Sequence, residues 1–315
     1  MLCTYNRAAS LRRTLDALHA QVTPVDLTWE LIVVDNNSTD TTTAVIGTFV
    51  ATARIRLRPL FVASQGLSHA RNAGLAQSHG VIIAFTDDDV YPSPDWVARI
   101  TLTMRETGAA IVGGRILPRW DHVPPQWLAS RPVLRGPLAI MEHDRPAVVV
   151  NADAIPTVWG ANMAFRREVF DTVGDFDPRR GMRGTTLYGG EEVDLVSRAL
   201  TAGYRVVYDP QIMVWHRVPA NRMRVAYFSR FYFQRAEGSA IVATPPRGLG
   251  WFGVYRSMGR RVFRYLKAVI CRRADTLERW LECCAAAGTI WGFWKLALVP
   301  PGVPTRRERR SSVAQ

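Results

Sequence analysis

Short apolar runs alternate with amphipathic segments through the first half of the chain, and this alternation constrains the fold more than any other feature. Strands are predicted at Leu2–Tyr5, Leu31–Asp35, Ile55–Val62, Val81–Thr86 and Ala110–Ile116. Helices are predicted at Ala8–Ala20, Asp40–Val50, Leu67–Ser78 and Asp95–Glu106. Continuous apolar runs such as residues 31–34 suit parallel strands that are covered on both faces. The order of the elements therefore predicts an α/β fold with a doubly wound sheet.

Polar residues close three of these strands, as Thr4-Tyr5-Asn6, Asp35-Asn36-Asn37 and Asp87-Asp88-Asp89. Ligands of doubly wound sheets bind beyond the carboxyl ends of the strands. Three adjacent carboxylates repel one another, so a cation is expected to offset that cost. Oxygen ligands of this kind suit magnesium or manganese that bridges to a substrate diphosphate. This edge of the sheet is therefore the predicted ligand site.

Two other interpretations of the triplet are open. It could be a solvated acidic turn, although its position directly after an apolar strand argues against that. It also fits the Asp-x-Asp motif of haloacid-dehalogenase-type phosphatases. That family normally has Thr or Val at the second position after the motif and an active-site lysine downstream. Here Tyr91 takes that position, and the two lysines, Lys267 and Lys295, lie near the end of the chain.

Seven segments follow one another along the chain: Cys3-Thr4-Tyr5-Asn6-Arg7, residues 33–40 (VVDNNSTD), residues 66–74 (GLSHARNAG), Asp87-Asp88-Asp89, residues 160–166 (GANMAFR), residues 190–195 (GEEVDL) and Trp215-His216. In this order, they make residues 1–240 resemble the family 2 glycosyltransferases. The resemblance implies a GT-A fold, which is a Rossmann-like, doubly wound mixed sheet. It also implies an inverting enzyme.

The resemblance implies a role for each matching residue. The nucleotide-sugar would be bound by Thr4, Tyr5, Asn6, Arg7, Asp35, Asn37, Arg71, Asp87 and Asp88. The metal ligands would be Asp89 and His216, and the pocket for the donor sugar and acceptor would include Trp159, Gly160, Asn162 and Gly190. Three of these residues have simpler alternatives: Asp35 as a helix N-cap, Arg71 as an exposed helix arginine, and His216 as a structural histidine.

The general base is expected in the pair Glu191-Glu192, at the start of a helix predicted from Glu191 to Thr201. The family usually has Glu-Asp here and uses the second acid, which makes Glu192 the positional match. The longer side chain leaves Glu191 open as the base. Alternatively, both acids simply complement the helix dipole. The glycine-rich segment before them is typical of an acceptor loop.

The resemblance implies metal-assisted transfer of a sugar from a UDP-, dTDP- or GDP-linked donor to an acceptor hydroxyl, with a carboxylate as general base. The cofactor would be Mn or Mg. A glycan or lipid-linked acceptor is expected, as in cell-envelope polysaccharide biosynthesis. An inactive member of the family is the alternative, because Glu-Glu replaces the usual pair.

Positive charge is concentrated in the last third of the chain, where residues 217–315 contain 19 basic and 5 acidic residues. We predict a catalytic domain at 1–220, with a nucleotide-binding half at 1–115 and an acceptor half at 116–220. A basic helical region at 221–315 follows it. Amphipathic helices are expected at 217–240 and 251–267, with an interfacial or re-entrant helix at Leu281–Val299. Arg306–Arg310 could bind anionic lipid.

The tail thus predicts binding to an anionic membrane surface, and a cytoplasmic protein peripheral to the inner face of the plasma membrane. The four cysteines show no disulfide or metal spacing, which fits a reducing compartment. Nucleic-acid binding is the rival function, since arginines mixed with aromatic residues also suit it. No recognition motif accompanies the tail, so no nucleic-acid partner is expected.

Overall fold

The computed structural model describes residues 1–53, 55–153 and 155–298. They belong to two units, Met1–Tyr227 and Phe228–Gln315. The strands are β1 (Leu2–Thr4), β2 (Glu30–Asp35), β3 (Arg56–Phe61), β4 (Ile82–Asp87), β5 (Val90–Pro92), β6 (Ile111–Trp120), β7 (Ala147–Val148), β8 (Asn162–Arg166) and β9 (Val206–Val218). The helices of the first unit are α1 (Ala8–His19), α2 (Thr42–Thr52), α3 (Leu67–Gln77), α4 (Trp96–Thr107), α5 (Gln126–Ala129), α6 (Arg167–Val173) and α7 (Glu191–Thr201).

The strands of the first unit form one mixed sheet in the order β3-β2-β1-β4-β8-β6-β9-β5, and β7 pairs with β9. The first four strands of this order are parallel, whereas β8 runs antiparallel to both β4 and β6. The register aligns Thr4 with Asp35 and Cys3 with Asp87, so β1, β2 and β4 end at the same edge. This confirms the predicted mixed, doubly wound sheet.

The core lies between the sheet and the helices that cover it. Leu11, Leu15 and Leu18 of α1 recur at helical spacing, and each is at most 1% exposed. Burying a leucine side chain contributes about 1.5–3 kcal/mol. The rings of Phe85 and Phe176 meet edge-to-face with centroids 5.4 Å apart. These aromatic side chains support the segment after α6, which carries no regular secondary structure up to α7.

The structure corrects several sequence-based boundaries. The strand predicted to end at Ile116 continues as β6 to Trp120, because it pairs with β9 along its whole length. Strands β5 and β8 were not predicted, since both are short and are defined by their antiparallel partners. The helix expected from residue 217 begins only at Val225. Strand β9 extends to Val218, and Pro219 and a 3₁₀ turn at Ala220–Arg222 separate it from the helix.

The second unit is helical, as predicted, and consists of the greater part of α8 (Val225–Val242) with α9 (Gly250–Ile270) and α10 (Thr276–Leu298). Glycines let α10 approach α8 closely, because a Cβ at Gly288 would lie 2.0 Å from the carbonyl oxygen of Phe233. Lys295 of α10 forms an ion pair with the buried Glu237 of α8. Of the helices described, none is both long and apolar enough to cross a membrane. Val299 and Arg306–Arg310 lie outside the described residues.

Candidate active site

The acidic triplet lies where β4 ends, next to the end of β1. Thr4 Oγ1 donates a 2.7 Å hydrogen bond to Asp88 Oδ2, and Thr14 Oγ1 donates to the Asp88 carbonyl at 3.0 Å. Burial and the neighbouring Asp89 carboxylate raise the pKa of Asp88 to about 7. The hydrogen bonds of Thr4 and Thr14 thus hold Asp88 in place at the end of β4.

The loops after β1 and β2 are joined to each other by Asn6. Its Oδ1 accepts hydrogen bonds from the backbone N–H groups of Thr39 at 2.7 Å and Asp40 at 3.3 Å, and its own N–H donates to Ser38 Oγ. Both Asn6 and Asn37 have positive φ, 52° and 67°, a conformation that asparagine tolerates better than most residues. These contacts fix the rim of the sheet edge at which Tyr5 and Arg7 also lie.

Asp35 is buried at the end of β2 and is engaged within its own turn. Its Oδ1 accepts a hydrogen bond from the backbone N–H of Ser38 at 2.9 Å, and its Oδ2 accepts one from Thr43 Oγ1 at 2.6 Å. These bonds give Asp35 a structural role in the turn between β2 and α2, which is close to the alternative role of a helix N-cap. They leave the remaining lone pairs of the carboxylate for any ligand.

Arg71 of α3 is buried and connects the triplet to the start of α7. Its Nη1 donates to Glu191 Oε1 at 2.8 Å, and its Nη2 lies 3.8 Å from Asp87 Oδ1. The guanidinium carbon lies 5.8 and 5.2 Å from the ring centroids of Phe85 and Phe176. The alternative of an exposed helix arginine is therefore wrong, because only 3% of the side chain is exposed.

Two glycines make room for this ion pair. A Cβ at Gly160 would lie 2.5 Å from Arg71 Nη2, and one at Gly181 would lie 3.3 Å from Glu191 Oε2. Gly181 also has a φ of 88°, which favours glycine. The glycine-rich segment therefore has a packing role as well as a conformational one.

Helix α3 also anchors the segment that leads to α7. Asn72 makes two hydrogen bonds to the backbone of Phe176, donating to its carbonyl at 2.8 Å and accepting from its N–H at 3.1 Å. Ser68 Oγ donates to the carbonyl of Arg180 at 2.9 Å, and the N–H of Leu67 donates to the carbonyl of Met182 at 2.8 Å. The motif at residues 66–74 thus positions the glutamate pair.

The two glutamates at the start of α7 have different surroundings. Gly190 precedes them with a φ of 91°, which turns the chain into the helix. Glu191 is buried in its ion pair with Arg71. Glu192 is only partly buried. The pair therefore consists of one buried carboxylate held by Arg71 and one partly exposed carboxylate.

Asp89 lies against His216 of β9 and against Arg222, which was expected to belong to a basic helix. His216 Nε2 is 3.3 Å from Asp89 Oδ1, and Arg222 Nη2 donates to Asp89 Oδ2 at 3.0 Å. Arg222 Nη1 is 3.1 Å from His216 Nε2, and Arg7 Nη1 is 3.7 Å from Asp89 Oδ2. Arg222 belongs instead to the turn after β9. Nothing in the sequence distinguishes Arg222 from the neighbouring arginines at positions 217 and 224.

Asp89 and His216 suit a divalent cation in their donor atoms. A guanidinium only donates, so Arg222 Nη1 bonds to His216 Nε2 in the tautomer that carries its proton on Nδ1. A carboxylate oxygen and an imidazole nitrogen thus face one positive group, and both are ligands of divalent metals. Among the described residues, no three His, Cys, Asp or Glu side chains are grouped to hold a metal. The remaining ligands of a cation would have to come from substrate or water.

Asn162 does not join these groups, although the sequence analysis placed it in the sugar pocket. Its side chain is fully buried and bonds to the carbonyls of Arg115 and Ile212, and it accepts from Trp96 Nε1. It therefore supports the junction of β6, β8 and β9. Trp159, whose carbonyl accepts a bond from the N–H of Asn162, is partly exposed.

Comparison with known proteins gives relatives that are named for polysaccharide biosynthesis or for sugar transfer. The chain is 28% identical over 236 residues to the succinoglycan biosynthesis protein ExoM of Rhizobium meliloti, covering 75% of this chain and 72% of that protein. It is 26% identical over 157 residues to the glucosyl-dolichyl phosphate glucuronosyltransferase of Haloferax volcanii, covering 49% of each. The aligned part thus spans only a fraction of either relative.

The fold is similar to that of a mannosyltransferase, PcManGT from Pyrobaculum calidifontis, solved with GDP-Man and Mn²⁺. The TM-score is 0.57 at 20% identity, covering 99% of this chain and 78% of that one. This likeness confirms the GT-A fold. The family model described as glycosyl transferase family 2 matches residues 1–174, more than half of the sequence. The chain therefore belongs to glycosyl transferase family 2.

Proposed function

We propose that this glycosyltransferase moves a sugar from a nucleoside-diphosphate donor to an acceptor hydroxyl, with inversion at the anomeric carbon. The single observation that carries the proposal is the pair of unlike glutamates at α7. Arg71 forms a 2.8 Å ion pair with the buried Glu191, whereas Glu192 is partly exposed at the start of the same helix. One available carboxylate suits a single displacement, because the acceptor loses its proton as it attacks.

Glu192 is the general base in this proposal, and Glu191 positions it. Glu191 shares Arg71 with Asp87, so the ion pair fixes the start of α7 relative to the end of β4. The hydroxyl proton passes to Glu192, and the oxygen forms the new bond to the anomeric carbon from the face opposite the departing diphosphate.

The donor is assigned to residues 1–115 and the acceptor to residues 116–220. Thr4, Tyr5, Asn6, Arg7, Asp35, Asn37, Arg71, Asp87 and Asp88 bind the nucleotide-sugar in this proposal, and Trp159, Gly160 and Gly190 line the sugar and acceptor pocket. The loop contacts of Asn6 and the turn of Asp35 support a preformed nucleotide site. The GDP-Man complex of the structural neighbour supports a donor of this class.

Asp89 and His216 are the proposed ligands of a divalent cation, Mn or Mg. Such a cation stabilises the charge that develops on the departing diphosphate. The carboxylate and imidazole that face one guanidinium support this assignment. The Mn²⁺ bound to the structural neighbour supports it as well.

The acceptor is proposed to be a growing polysaccharide or a lipid-linked glycan, as the names of two relatives suggest. Helix α9 supports a membrane-surface role at the inner face of the plasma membrane. Phe252 and Phe263 are each 67% exposed, beside Arg256, Arg260 and Arg264. Basic and aromatic side chains together favour the interface of an anionic bilayer. Flotation with phosphatidylserine vesicles tests this, and binding to RNA but not to vesicles would favour the nucleic-acid alternative.

Thermal unfolding with UDP, dTDP or GDP, each with and without Mn²⁺, tests the donor site. One nucleotide is expected to stabilise the wild-type protein in a Mn²⁺-dependent way, by about 2.7 kcal/mol at a hundred times its Kd. Asp89→Ala should remove the Mn²⁺-dependent part. A folded protein that no nucleotide stabilises would overturn the proposed function.

A further inference from the structure

We propose that the Arg222 guanidinium and a divalent cation compete for Asp89 and His216, so that cation binding must displace Arg222. The inference rests on the proposed metal-assisted function. It adds that the Arg222 guanidinium occupies the proposed metal site when no metal is bound. Arg222, a basic residue of the turn after β9, therefore controls whether a metal can bind to this site.

The geometry of the three side chains carries the argument. Arg222 uses Nη2 to reach Asp89 Oδ2 at 3.0 Å and Nη1 to reach His216 Nε2 at 3.1 Å. The two atoms of the guanidinium thus engage one atom of each proposed metal ligand. Asp89 Oδ1 lies 3.3 Å from His216 Nε2, which puts both ligands within reach of a single ion.

The two cations exclude each other for steric and electrostatic reasons. Manganese and magnesium approach their ligand atoms to about 2.0–2.2 Å and use the same lone pairs that accept the hydrogen bonds of Arg222. A guanidinium left at its present distance from Asp89 would also face a doubly charged ion at close range. That repulsion is strong inside a partly buried site.

The position of Arg222 in the chain permits its release. It ends the 3₁₀ turn Ala220–Arg222, between Pro219 and the first residue of α8, and its side chain is 19% exposed. In the absence of metal it offsets the charge of the buried Asp89, which explains why an arginine lies against a proposed metal ligand.

The test is titration of the full-length, nucleotide-free protein with Mn²⁺, with free Mn²⁺ measured by electron paramagnetic resonance. Arg222→Ala is expected to bind Mn²⁺ on the order of tenfold more tightly than wild type, because the competing state is removed. Arg224→Ala is the matched control. It removes the same charge from an exposed position two residues away and should change the Kd by no more than about twofold.

Arg222→Gln provides a second variant that keeps a polar side chain but removes the positive charge, and it should also bind Mn²⁺ more tightly. Asp89→Asn should lose the site in every background. Equal or weaker Mn²⁺ binding by folded Arg222→Ala and Arg222→Gln, with the site still dependent on Asp89, would overturn the competition alone. Binding that does not depend on Asp89 would overturn both the competition and the proposed metal site.

Discussion

Two arginine clusters hold the acidic triplet, and they differ in how firmly they are built. Arg71 lies in the interior beside two phenylalanine rings and pairs with Glu191 at 2.8 Å. Arg222 lies on a turn after β9 and pairs with Asp89 at 3.0 Å. The first cluster joins α3 to α7, and its burial and short ion pair are typical of a permanent structural contact. The second joins a proposed metal ligand to a more exposed side chain, which is the arrangement expected of an exchangeable contact.

The largest expected effect is that of changing Glu192, the proposed general base, which is not part of the Arg71–Glu191 ion pair. Glu192→Gln should lower kcat about 10²–10⁴-fold with little change in stability, because the amide cannot take the acceptor proton. Glu191→Gln is the matched variant and should instead lower the unfolding temperature, since it weakens the bond to Arg71. Steady-state kinetics and thermal unfolding of both variants distinguish these roles. The reverse pattern would make Glu191 the base.

Arg71→Ala tests whether the Arg71–Glu191 ion pair stabilises the fold. The change leaves Glu191 buried without its cation, so the free energy of unfolding should fall by about 3–5 kcal/mol. Denaturant titration measures it, and Mn²⁺ should not restore the loss because no metal is proposed at Arg71. Arg99→Ala removes an arginine from a surface i,i+4 pair and should cost less than about 1 kcal/mol. A comparable loss in both variants would remove the distinction between the two clusters.

The smallest expected effect comes from filling the space next to the Arg71 guanidinium. Gly160→Ala puts a Cβ 2.5 Å from Arg71 Nη2, so the free energy of unfolding should fall by about 1–3 kcal/mol. Gly47→Ala is the control, because a Cβ there meets nothing within 4 Å and the site lies in α2. It should gain about 0.5–1 kcal/mol from helix propensity. Tolerance of alanine at 160 would show that Arg71 can move.

Much of the fold was predictable because its signals are local. The helix at Glu191–Thr201 was predicted with its observed bounds, and the parallel strands β1, β2 and β4 came within two residues at each end. Short strands such as β5 and β8 were missed. Their residues carry too little periodicity, and pairing with distant strands defines them.

The sequence by itself determined that polar side chains gather at one edge of a doubly wound sheet, since strand order and strand ends follow from local patterning. Tertiary structure decided how those side chains pair. Arg71 meets Glu191 across 120 residues of chain, and Arg222 meets Asp89 across 133. It also turned Asn162 inward, away from the expected pocket. These pairings depend on how distant segments pack, because the position of a side chain in the sequence does not determine which buried charge it contacts.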